Sequence, residues 1–138
     1  MLKFRVVLLV FVSGLSSIGA AAPPDPCRGS STREMEACAA KRGAEAKTQM
    51  ARYLEESKRL IGENQEDLKA LGKSQELWGK FVDADCQAAY QHFVGGSIRS
   101  VQYGECVLAH TENRTLSLWE RYLAGTVSKL RKPAGACD

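Results

Sequence analysis

Apolar residues recur along this chain at helical spacing, in three long runs. In the first, Met35, Cys38, Ala39, Ala46, Met50, Tyr53, Leu54, Leu60 and Ile61 are separated mostly by threes, fours and sevens. That spacing gathers them on one face of a helix. In the second, Leu68, Leu71, Gln75, Trp78, Phe81, Val82, Cys86, Ala89 and Phe93 share one side. In the third, Val101, Cys106, Leu108, Ala109, Thr111, Leu118, Tyr122 and Leu123 form an inner face, with Arg114 close to it. The pattern predicts helices over 32–61, 65–93 and 98–130. No stretch alternates as a strand does, and no segment repeats. Gln75 is the polar exception on an apolar face. A buried amide must find partners, so Gln75 is expected to bond a neighbouring helix. Trp78 is expected in the core.

The punctuation of the sequence agrees with three helices. Ser31-Thr32-Arg33-Glu34 reads as a capping box, with the serine hydroxyl and the glutamate carboxylate each serving the other's backbone N–H. Gly62 is placed to cap the first helix at its C-terminus. Gly95-Gly96 breaks the chain between the second and third, Ser97 is available to cap the third, and Pro133 ends it. Two helices joined by a short glycine turn run antiparallel, so positions equidistant from the turn lie side by side. Cys86 and Cys106 stand ten residues either side of Gly96. They are therefore expected to face each other and to form a disulfide. The fold class that follows is an all-α bundle of three long helices, with an antiparallel helical hairpin, stapled by disulfides.

The N-terminus changes the compartment. Lys3 and Arg5 precede an unbroken apolar run over 6–12, and small residues follow up to Ala22. This is the pattern of a secretory signal peptide. Pro23 disfavours cleavage after Ala22, which leaves Ala20 or Ala21. The domain reading is a signal peptide over 1–21, an extended leader over 22–30, a helical domain over 31–131 and a tail over 132–138. Export to the periplasm or beyond means an oxidising compartment, where cysteines pair. Five cysteines are present, at 27, 38, 86, 106 and 137. Four of them allow three pairings, and sequence alone does not choose. The hairpin argument favours Cys86 with Cys106, which leaves Cys27 with Cys38 and Cys137 as the odd one.

Charge and motif searches mostly exclude. The full chain carries 19 basic and 16 acidic residues. Loss of Lys3 and Arg5 leaves 17 against 16, or about +1, with the charges interspersed. No basic patch points to nucleic acid, and no apolar span is expected to cross a membrane after signal cleavage. Cys106 and His110 lie one helical turn apart with Cys86 near, a spacing that could serve zinc. In an exported chain the disulfide takes precedence, so no metal and no cofactor is expected. Ser97 beside two glycines lacks the strand–turn–helix setting of a nucleophile. Glu55-Glu56 and Asp83/Asp85 resemble glycosidase carboxylate pairs, but on helices rich in Lys and Arg they read as solvated faces. Arg114 is expected to pair with a carboxylate or to cap carbonyls. No catalytic residue is assigned, and the chain is not expected to be an enzyme.

A series of residues then carries a resemblance. Met35-x-x-Cys38, Gln75-x-x-Trp78, Phe81, Asp83, Cys86, Gly95-Gly96-Ser97, Cys106, Thr111-x-x-Arg114 and Leu118 occur in order. The set resembles the N-terminal domain of the lysozyme inhibitor LprI, a cysteine-containing helical module of exported bacterial proteins. Gln75, Trp78, Thr111 and Arg114 match its motif positions. Val82 stands where relatives often carry a basic residue, and the cysteine-bearing tail is additional. The resemblance implies a cell-envelope binding protein that blocks a lysozyme-like, peptidoglycan-cleaving glycosidase. The alternative is a non-catalytic envelope structural or interaction module with no enzyme target. An inhibitor must plug a cleft, and a rigid loop does so at low entropic cost. Gly95, Gly96, Ser97, Ile98 and Arg99 form the candidate target-binding loop, with Arg99 suited to cleft carboxylates.

Overall fold

The computed structural model describes residues 26–134. The signal peptide, the start of the leader and Cys137 lie outside the described residues. Three helices make up the fold: α1, Thr32–Ile61; α2, Gln65–His92; and α3, Arg99–Leu118. A 3-10 turn, Pro26–Arg28, precedes α1, and a π-helical turn, Trp119–Leu123, extends α3. No strand occurs among the described residues.

The predicted caps account for the first helix. Ser31 Oγ accepts from the Glu34 backbone N–H at 3.3 Å, and Glu34 Oε2 accepts from the Ser31 N–H at 3.0 Å. Those bonds hold the Glu34 carboxyl below its usual range, the serine hydroxyl contributing most. At the far end Gly62 adopts φ 68°, and its N–H reaches the Lys58 carbonyl. Asn64, which the sequence reading passed over, caps α2 by accepting from the N–H groups of Glu66 and Asp67. An uncapped N-terminus would leave these donors unmatched, at a cost of about 1 kcal/mol.

The helices run up, down and up. Along the α2–α3 hairpin, Cys86 meets Cys106, Tyr90 meets Tyr103 and Gln75 meets Arg114. These pairs are close to equidistant from Gly96, as antiparallel packing requires. α1 and α3 are parallel, because Ala39 lies against Gly104 and Arg42 reaches Glu105, at 3.0 and 3.2 Å to its two carboxylate oxygens. Gly104 permits this approach. A Cβ built there would stand 3.0 Å from the Ala39 Cβ.

Core and staples occupy opposite ends. Tyr53, Leu71, Leu118 and Leu123 form the buried cluster, with Met50, Leu54, Leu60, Ile61, Trp119, Tyr122 and Leu130 packed against it. This end holds the α1–α2 turn and the close of α3. The other end gathers the start of α1, the end of α2 and the start of α3. Its buried side chains are smaller: Ala39, Val101 and Cys86. Both disulfides lie there, Cys27–Cys38 with Cα atoms 4.7 Å apart and Cys86–Cys106 at 5.6 Å. On the chain-entropy account each is worth roughly 3 kcal/mol.

Four expectations need correction. The third helix does not continue to 130. It stops at Leu123, where the Ala124 N–H closes a five-residue turn onto the Trp119 carbonyl and Gly125 takes φ 72°. Residues 124–134 instead fold back as an irregular segment, anchored where the Tyr53 hydroxyl donates to the Arg131 carbonyl at 2.6 Å. Phe81 is 55% exposed, since α2 packs mainly on α3 and buries only a narrow stripe. Ala109 on α3 is exposed as well, and Trp78 is half-buried rather than core.

Candidate functional site

The hairpin tip spans residues 93–98. α2 ends with Phe93 as its cap. The Val94 N–H then bonds the Gln91 carbonyl at 3.1 Å, and the Gly96 N–H bonds the Phe93 carbonyl at 3.0 Å. Gly95 takes φ 85°, a left-handed geometry that a side chain would strain. This tight turn leaves apolar side chains outside. Val94 is 68% exposed, and Phe93 and Ile98 are about a third exposed. Ser97 does not cap α3. Ile98 occupies that position with helical dihedrals, and no side chain accepts from the first turn. The leading N–H groups of α3 therefore have no side-chain partner at the tip.

Arg99 is not at the tip either. It is the first residue of α3 and half-buried. Its guanidinium carbon sits 4.8 Å from the centre of the Tyr90 ring, and Tyr90 meets Tyr103 edge-on at 6.4 Å. A cation over an aromatic face gains about 0.5–1 kcal/mol at an exposed site. The loop residues 95–98 are thus exposed together, while Arg99 braces their root.

The four motif residues meet at the middle of the bundle. Arg114 Nε donates to Gln75 Oε1 at 3.0 Å, and Arg114 Nη2 donates to Ser74 Oγ at 3.1 Å. The interhelical bond expected of Gln75 is present. The arginine's partners are a side-chain amide oxygen and a hydroxyl, not a carboxylate or a backbone carbonyl. Partial burial lowers the guanidinium pKa from its ordinary value, opposed by the nearby Tyr122 and reinforced by Arg121. Trp78 and Thr111 line a neighbouring cleft of about 250 Å³ with Met50, Val82 and Val107. Thr111 is fully buried, and its hydroxyl donates to the Val107 carbonyl at 2.7 Å. These residues join α1, α2 and α3 rather than presenting a surface.

Between tip and middle lies the Cys86–Cys106 bridge. Asp85 and His110 flank it, with Nε2 and Oδ2 2.8 Å apart. Phe81 stands edge-on to the His110 ring at 5.3 Å. The carboxylates at 55 and 56 are each paired with a cation on their own helix, Glu55 with Lys58 and Glu56 with Arg59, both at 2.7 Å. Glu55 lies on the solvated face expected of it, whereas the Glu56 side chain is only 19% exposed. An open groove of about 1020 Å³ lies between α1 and the C-terminal segment. Arg52, Glu56, Arg59, Val127 and Leu130 line it.

Sequence reasoning missed Val94, Tyr90 and Asp85 as members of these sites. Val94 had a signal: an apolar residue between a helix end and Gly-Gly has no helix face to join. Tyr90 had one too, since it stands six residues before Gly96 and Tyr103 seven after, while Asp85 reads only as a solvated carboxylate.

With this geometry in hand, comparison with known proteins gives one family. The family model described as lysozyme inhibitor LprI matches residues 26–118. Neither the curated proteins nor the solved structures supply a match. The matched span covers all three helices and both disulfides. The chain belongs to the LprI lysozyme inhibitor family.

Proposed function

We propose that this member of the LprI family is exported to the cell envelope and blocks a peptidoglycan-cleaving glycosidase by inserting its hairpin tip into the enzyme's cleft. Family membership carries the inhibitor reading, and the tip's build supports the choice of surface. Residues 94–98 are exposed together on a turn whose arms are tied by Cys86–Cys106. A loop already held in shape loses little entropy on binding. Val94 and Ile98 offer apolar area, Gly95 and Gly96 allow close backbone approach, and the leading N–H groups of α3 point a partial positive charge outward. Glycosidase clefts carry two carboxylates, so that polarity suits them. Arg99 adds charge from the root of the loop. Export agrees with two disulfides, and no helix among the described residues is long and apolar enough to cross a membrane.

The test is a lysozyme turnover assay on bacterial cell walls with the purified oxidised protein. Wild type is expected to inhibit. Val94→Asp and Ser97→Ala/Arg99→Ala, checked for helicity by circular dichroism, are expected to inhibit at least tenfold less well. Full inhibition by both folded variants would move the contact away from the tip. No inhibition of any lysozyme by wild type would leave an interaction module without an enzyme target.

A further inference from the structure

The bridge at the waist of the hairpin is surrounded by more chemistry than a structural staple requires. Asp85, Cys86, Cys106 and His110 each bring one ligand atom to within 4.8 Å of the others. Cys106 and His110 are one turn apart on α3, and Asp85 precedes Cys86 on α2, so the set is clamped between two helices. His110 is already oriented, its Nε2 2.8 Å from Asp85 Oδ2. Two thiolates, an imidazole and a carboxylate are the donors that tetrahedral zinc accepts.

We propose that reduction of Cys86–Cys106 by an external dithiol converts this cluster into a zinc site. The reaction balances simply. The dithiol gives two electrons and two protons, becomes a disulfide, and leaves two cysteine thiols on the chain. Zinc then binds both sulfurs and displaces their two protons to solvent, while His110 Nε2 and an Asp85 carboxylate oxygen complete the shell. Tetrahedral zinc sets its sulfur ligands about 3.8 Å apart. Cys106 is only half-buried, so its side chain has room to turn once the bond is cut. Cys86 is fully buried. A thiolate there needs a cation beside it, and zinc supplies one. Bridged sulfurs are not thiolates and do not ligate. Bridge and metal therefore exclude each other, and the hairpin keeps a cross-link in either state.

The experiment uses the mature chain with Cys27, Cys38 and Cys137 replaced by Ser, so that the only thiols are the two at issue. A non-thiol phosphine reductant opens the bridge. Zinc binding is read by indicator competition, and cobalt substitution by its thiolate charge-transfer absorption. One zinc per reduced chain is expected, and none per oxidised chain. His110→Ala and Asp85→Ala should each weaken binding roughly tenfold or more. If the reduced chain loses helicity, zinc should restore it. Reduced protein that neither binds zinc nor refolds with it overturns the proposal. Binding that is indifferent to both His110→Ala and Asp85→Ala overturns the ligand set.

Discussion

Replacing Gly104 by alanine should destabilise the protein, although the same change elsewhere in its helices should stabilise it. Alanine is about 0.8–1.0 kcal/mol better than glycine in a helix interior. At Gly72, on α2, a Cβ would meet nothing within 4 Å. Gly72→Ala should therefore gain most of that amount. At Gly104 the new Cβ would stand 3.0 Å from the Ala39 Cβ. Neither atom can rotate away, since each is fixed to a helix backbone. Relief requires α1 and α3 to separate, and the Arg42–Glu105 pair and buried Val101 lie beside that contact. Overpacking of this kind costs typically 1–3 kcal/mol. Set against the propensity gain, the net loss is on the order of 1 kcal/mol. Urea denaturation of the oxidised protein, read by helicity, measures both variants. The decisive comparison adds Ala39→Gly, which removes the opposing methyl. The double variant should be more stable than the two single effects predict, by at least about 1 kcal/mol of coupling. Additive behaviour, or a Gly104→Ala protein as stable as Gly72→Ala, would refute the packing argument.

Two further outcomes are expected. A double-mutant cycle between Gln75→Ala and Arg114→Ala should return a coupling of about 1–2 kcal/mol, the range of a hydrogen bond to a charged group that is partly exposed; zero coupling would mean that the Arg114–Gln75 bond is not maintained in solution. The Glu56 carboxyl is lowered from 4.5 to about 2, chiefly by its hydrogen bond to Arg59 and then by Ser128, against burial. A depressed folded pKa means stability that is present above pH 4.5 and lost as pH falls toward 2. Urea midpoints should therefore drop more steeply across that window for wild type than for Glu56→Gln, and equal slopes would remove Glu56 from the acid response.

How much of this was legible in the sequence depended on whether the deciding partner was local. α1 was bounded correctly because both of its ends are written within four residues, in Ser31–Glu34 and at Gly62. Cys86–Cys106 was legible because symmetry about a glycine turn turns a sequence distance into a spatial one. The end of α3 was not. Pro133 is the strong breaker, but the helix yields ten residues earlier through Gly125 and the hydroxyl of Thr126, which donates to the Leu123 carbonyl. Apolar spacing overstated what α2 buries, since a helix with one principal neighbour hides a narrower stripe than the pattern offers. Hence Phe81, expected on the buried face, is about half exposed. At the candidate site, the exposure of residues 95–98 followed from local turn chemistry. The position of Arg99 did not, because Tyr90 is nine residues back and reaches it only after the chain reverses.

The unequal ends of the bundle explain why the tip can be small and still hold its shape. A turn made of glycines and a few exposed apolar residues contributes little burial to its own support. The large side chains lie at the other end, around Tyr53, Leu71 and Leu118. At the tip end the helices approach through Ala39 and Gly104, which bring backbones close but bury little area. Little burial there would leave the tip end free to open locally. Two disulfides at that end alter the balance. Cys27–Cys38 holds the leading turn against α1, and Cys86–Cys106 ties the two arms of the hairpin below the loop. Order at the tip is thus supplied by covalent bonds placed where the core is thinnest. The tip's own sequence is left free of packing demands, so it can be shaped by whatever it meets.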